Sequence, residues 1–133
     1  MNLVELEHSL GIGFHDADLY EVSINFAKRT IELSLAVCIG DPDALELEER
    51  ERMRKGKLVL SGFTYCALDP PDPRYPYGLH EPLDVDPCEP DSSLYERYAL
   101  LPGAFAARFF ITDWNSFLHF DAVTAEFSWQ EDE

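Results

Sequence analysis

Residues 20–39 constrain this chain more than any other stretch. Tyr20, Val22, Ile24 and Phe26 alternate with Glu21, Ser23 and Asn25. After Ala27-Lys28-Arg29-Thr30, Ile31, Leu33, Leu35, Val37 and Ile39 alternate with Glu32, Ser34, Ala36 and Cys38. A period of two in β-branched and aromatic residues puts one apolar face on each of two strands. The short polar connection makes them a hairpin. A hairpin with one apolar face must lay that face on a core, so the chain is expected to be mainly β or α+β. An antiparallel twisted sheet or small β-sandwich of five to seven strands fits.

The flanking segments are read against that hairpin. Leu3, Leu6 and Leu10 recur at helical spacing behind Asn2 as a candidate N-cap, which predicts a short N-terminal helix ended by Gly11 or Gly13. Residues 44–55 are rich in helix formers but hold only Leu45, Leu47 and Met53 as large apolar residues. They predict an exposed helix or a partly ordered loop. Leu58 to Leu68 reads as a third strand, with Gly62 marking a bulge. Seven of the nine prolines fall within 69–91, which predicts a long Pro-rich acidic loop with Leu83-Asp84-Val85 as at most a short edge strand. Ser92 to Leu101 holds a helical turn or a short strand, and Phe105 to Thr112 a strand. Phe117 to Trp129 reads as one long final strand, followed by an acidic tail at 130–133. No repeat or linker divides the chain, so residues 1–133 are expected to form a single domain of ordinary size.

Charge sets the class of partner. Ten Lys and Arg face 26 Asp and Glu, a formal net charge of −16. Such a field repels nucleic acid and anionic membranes and favours a basic protein partner. The composition is 46% apolar and 13% aromatic, too hydrophobic for a disordered chain, and aromatic-rich sheets also suit a homo-oligomer. The N-terminal residues lack a basic segment and an apolar run, which predicts no signal peptide. Cys38, Cys66 and Cys88 are odd in number and widely spaced, which predicts free thiols and a cytoplasmic address. Cys38 and Cys66, inside strand-like runs, are expected to serve as small core residues.

Motifs for chemistry are sparse. There is no GxSxG elbow, no Gly-rich phosphate loop and no cysteine signature, so no catalytic residue, metal or cofactor is assigned. The polar candidates are His15, Asp16, His119 and Asp121. A histidine beside a carboxylate can act as a general base, and these residue types are competent metal ligands. His119 and Asp121 share a strand face and could meet His15 if the end strands were neighbours. A core histidine on a carbonyl and an aspartate capping a turn explain the same residues. A candidate partner surface comprises Tyr75, Tyr77, Asp84, Asp86, Glu89 and Asp91, where aromatics and carboxylates of the Pro-rich stretch lie together.

Phe14-His15-Asp16-Ala17-Asp18-Leu19, the alternating hairpin, the Leu58-Val59-Leu60-Ser61-Gly62-Phe63 strand and Ala122 in the last strand carry a resemblance. Together they resemble a group of small bacterial proteins, some of them immunity-type proteins of contact-dependent or polymorphic toxin systems. The resemblance covers residues 13–129. It implies a β-rich fold and a neutralising, immunity- or antitoxin-like role, and it brings no catalytic residues.

Overall fold

The computed structural model describes residues 2–41, 43–74 and 82–130. Eight strands form one antiparallel sheet. They are β1 (Ala17–Asn25), β2 (Thr30–Cys38), β3 (Met53–Ser61), β4 (Cys66–Leu68), β5 (Leu83–Cys88), β6 (Phe105–Ile111), β7 (Ser116–Ala122) and β8 (Thr124–Trp129). Their spatial order is β4-β7-β6-β5-β1-β2-β3-β8. Among the described residues three short α-helices accompany them, α1 (Leu3–Leu10), α2 (Leu47–Arg50) and α3 (Ser92–Tyr95), with a 3-10 turn at Thr112–Trp114. The β-rich fold with a short N-terminal helix is therefore as the periodicity predicts. No helix among the described residues is long and apolar enough to cross a membrane.

α1 is defined by its ends. The Asn2 side chain accepts from the Glu5 amide at 2.8 Å and the Glu5 carboxylate accepts from the Asn2 amide at 3.0 Å, a capping box. Gly11 closes the helix in the left-handed region at φ +67°. Leu3 and Leu6 are then delivered into the core.

The two ends of the strand order are parts of the same ribbon. β3 pairs with β8, and β4 pairs with β7, along a continuous antiparallel course. Between the two blocks lie residues 62–65 on one chain and 121–123 on the other, so the register slips by one residue. A one-residue bulge bends a ribbon and increases its twist. Here it carries one half of the ribbon to each edge of the sheet, and the sheet coils around one core. That core collects Ile31, Leu33 and Leu35 of β2, Leu58 and Leu60 of β3, Val85 of β5, Phe109 and Ile111 of β6, and Leu118 and Phe120 of β7, with Phe14 from the corner after α1.

Several expectations are corrected by this geometry. The stretch 58–68 is not one strand: the chain leaves β3 at Ser61, takes Gly62 at φ +85° and pairs again only as β4. The stretch 117–129 is likewise broken at Val123, and its core face changes phase from Leu118, Phe120 and Ala122 to Ala125 and Phe127. In β1 the register slips at Tyr20, which removes Tyr20 from the face shared by Leu19, Val22 and Ile24. Residues 53–55, read with the exposed helix or loop, belong to β3 because their partner in the ladder is the long apolar strand β2. The 69–91 loop is shorter than expected, since Leu83–Cys88 is an interior strand between β1 and β6. Pro87 is tolerated there because a residue in a ladder directs its amide to one neighbour only. Cys38 is exposed instead of buried, while Cys66 packs partly against the core; all three cysteines are free thiols.

Candidate functional site: a carboxylate-rich face

The corner before β1 is built by side chains reaching back to the backbone. Glu7 of α1 accepts from the Phe14 amide at 2.9 Å, which holds Phe14 fully buried. Asp16 then adopts φ +55°, a conformation that aspartate tolerates better than most residues. Its amide donates to Asp86 Oδ1 at 2.6 Å, which ties the corner to β5. His15 points outward and lies between two carboxylates. Its Nδ1 is 2.6 Å from Asp86 Oδ1 and its Nε2 is 3.2 Å from Asp16 Oδ2.

β5 extends this acidic cluster. Asp84 and Asp86 flank the buried Val85, so both stand on the outward face, and Asp18 of β1 sits directly opposite Asp84. The Asp113 carboxylate accepts from the Asp84 amide at 2.8 Å. Burial raises the Asp84 carboxyl above the usual carboxylate range, and the charges of Asp16, Asp86, Asp113 and Asp18 raise it further. Burial raises Asp18 as well. Among the described residues, His15 is the one base ion-paired with this group of five.

An aromatic strip adjoins the carboxylates. Asp86 faces Phe110 across the ladder and Phe110 faces Phe117, with the two rings 5.1 Å apart. Arg108 lies 4.0 Å above the Phe117 ring and donates through Nε to the Glu89 carbonyl at 2.7 Å.

The four polar residues singled out from the sequence do not converge. His15 and Asp16 join Asp86 in the acidic cluster. His119 is buried on β7, with its Nε2 3.0 Å from Asp69 Oδ2. Asp121 is fully buried at the ribbon bulge, where Oδ1 accepts from the amides of Thr64 and Tyr65 at 2.6 and 3.0 Å, and Oδ2 accepts from the Thr64 hydroxyl at 2.7 Å. It is a structural carboxylate. Burial and then the Asp121 charge push the Tyr65 hydroxyl up to about 12 and the Cys66 thiol up to about 11.

Of the candidate partner surface, Asp84 and Asp86 lie in the acidic cluster. Asp91 is committed to capping α3, accepting from the Ser93 amide and hydroxyl at 3.0 and 2.7 Å. Glu89 contributes its carbonyl to Arg108. Tyr75 and Tyr77 lie outside the described residues. Sequence reasoning missed Asp18 and Asp113. Asp18 carried a signal, since it holds an outward place beside the apolar Ala17 and Leu19; Asp113, in a turn, carried none.

No protein-family model matches the chain, and no curated protein matches it. Among solved structures it is similar to an uncharacterised protein from Neisseria gonorrhoeae. The identity is 19% and the TM-score 0.41, covering 86% of this chain and 92% of that one.

Proposed function

We propose that this is a cytoplasmic acidic binding protein that neutralises a basic protein partner, in the manner of an immunity protein or antitoxin. One observation carries the reading: Asp16, Asp18, Asp84, Asp86 and Asp113 crowd onto one face, His15 is the one base ion-paired with them among the described residues, and burial and then the neighbouring charges raise Asp84. Keeping five carboxylates together costs stability, because like charges opposed across a ladder repel. A cationic partner removes that cost on binding. Fields of this kind also steer association, raising on-rates well above those of neutral pairs. The Phe110–Phe117 strip beside the carboxylates supplies apolar area of the kind that anchors interfaces. The Phe14-His15-Asp16-Ala17 corner that carries the resemblance contributes two members of the face. Three free thiols suit the reducing compartment.

The test is co-expression with the products of adjacent genes, followed by co-purification and a growth-protection assay. The reading expects a basic partner whose toxicity is relieved by the wild-type protein and not by Asp84→Asn/Asp86→Asn. Absence of both partner and protection would sink it.

A second reading, that the corner holds a divalent cation, is favoured by one geometric fact. Single ligand atoms of His15, Asp16 and Asp86 all lie within 4.8 Å of one another. Calorimetric titration with Zn²⁺ and Mn²⁺, compared with His15→Ala, separates the two readings: no heat from either ion would eliminate this one.

A further inference from the structure

We infer that the cleft between α3 and the outer face of β6 and β7 is a binding site for a small oxyanion, a carboxylate or phosphate borne on an apolar body. The cleft has a volume of about 400 Å³, within the range of small-molecule sites. It lies beyond the five-carboxylate face and shares Phe117 with the aromatic strip of the partner-binding reading, which does not otherwise involve it.

Open donors outnumber open acceptors in the cleft. Each acid has one carboxylate oxygen engaged: Asp91 Oδ1 takes the Ser93 amide and hydroxyl, and Asp69 Oδ2 faces His119. The two guanidiniums keep most of their N–H donors. Arg108 uses Nε on the Glu89 carbonyl, while its two terminal amino groups have no partner among the described residues. Arg97 lines the same cleft and pairs with no carboxylate among the described residues. A guanidinium presents a rigid fork of donors that matches a carboxylate or phosphate edge.

The distribution of bases makes this cleft unusual in the molecule. Five of the ten Lys and Arg fall in Arg50 to Lys57, Lys28 and Arg29 occupy the hairpin turn, and Arg74 is held by Asp72. The remaining two, Arg97 and Arg108, both line this one cleft. In a chain of net charge −16, the cleft is a place where bases match acids in number, Arg97 and Arg108 against Asp69 and Asp91. Leu94 and the Phe117 side chain, whose ring carries the Arg108 guanidinium at 4.0 Å, form its apolar wall, and the buried His119 ring, fixed by Asp69, closes it. An aryl or alkyl group would pack beside Leu94 while its oxyanion meets the guanidiniums.

The experiment is a heteronuclear NMR titration with benzoate, phenyl phosphate and inorganic phosphate in parallel. Saturable shifts at Ser93, Arg97, Arg108 and His119 are expected with benzoate, with phenyl phosphate or with both, and the responding arm identifies the oxyanion. Binding to the responding aryl ligand should fall at least about tenfold in Arg97→Gln, a loss of one charge-assisted pair. The Arg97 side chain holds no other element in place, so this variant should keep the wild-type melting temperature. Arg108→Lys, which keeps the charge but not the fork, is a second variant and should weaken the same ligand. The inference is overturned if neither aryl ligand produces saturable shifts in the cleft, if inorganic phosphate alone binds there, or if Arg97→Gln binds as the wild type does.

Discussion

Asp121 holds Thr64 by both of its donors: Oδ1 accepts the Thr64 amide at 2.6 Å and Oδ2 accepts its hydroxyl at 2.7 Å. The same Oδ1 takes the Tyr65 amide, so a single buried carboxylate satisfies two of the four unpaired amides where the β3–β4 and β7–β8 ribbon bends, and the Arg29 carbonyl takes those of Gly62 and Phe63. Asp121→Ala should cost about 2–4 kcal/mol in urea unfolding, because it strands buried donors as well as removing charge-assisted bonds. Thr64→Ala should cost about 1 kcal/mol. Equal, small losses for both would show that the bend does not depend on the carboxylate.

Gly56 makes room for Phe127. A β-carbon at position 56 would overlap the Phe127 ring and lie 2.8 Å from the Ser128 carbonyl oxygen. Gly56→Ala should therefore cost about 1–3 kcal/mol as an overpacked site. Part of that loss should disappear in a Phe127→Leu background, giving a non-additive double-mutant cycle. Phe127→Leu alone loses the ring contacts with Phe14 and Trp129.

Asp84 gives a pH signature of known sign. Its folded pKa is raised, so the native state disfavours the charged form and binds the proton more readily than the unfolded chain. The penalty is fully present above the raised folded value and is relieved as pH falls towards the ordinary value of 3.8. Asp84→Asn should raise the melting temperature at neutral pH, with the gain shrinking as the pH approaches 3.8. The same variant should weaken partner binding, the trade expected when a charge is kept for function.

The thiols should react in order of exposure. Cys38 is exposed, whereas burial holds the partly buried Cys66 thiol up at about 11 and so depletes its reactive thiolate. Alkylation of native protein at pH 8, read by mass spectrometry, should label Cys38 first and Cys66 only after denaturant is added. Equal rates would contradict this burial pattern.

The β1–β2 hairpin, α1 and β6 were legible because each has an uninterrupted period and local end signals such as Asn2 and Gly11. The long strands were legible as apolar runs but not as broken ones. A one-residue bulge shows only as a phase change, such as Ala122 followed by Ala125. Reading Phe117–Trp129 as one long strand passes over that change. β5 was hidden by its composition: Pro87 and two acids, Asp84 and Asp86, conceal a strand whose only buried side chain is Val85. The site was half legible. His15 and Asp16 drew notice by residue type, and Asp84 and Asp86 by charge. Their meeting depends on β5 pairing with β1, a contact that no local pattern encodes. His119 and Asp121 were chosen for their chemistry, yet their partners, Asp69 and Thr64, lie in the segment that crosses to the other edge of the sheet.

The most direct test of the carboxylate-rich face is an NMR titration with an arginine-rich peptide at two salt concentrations. Shifts should concentrate at Asp16, Asp18, Asp84 and Asp86 and extend to Phe110 and Phe117. They should weaken steeply with salt and be lost in Asp84→Asn/Asp86→Asn. Shifts of equal size at the exposed acids of 46–51, unchanged in that double variant, would contradict the assignment of this face as the docking surface.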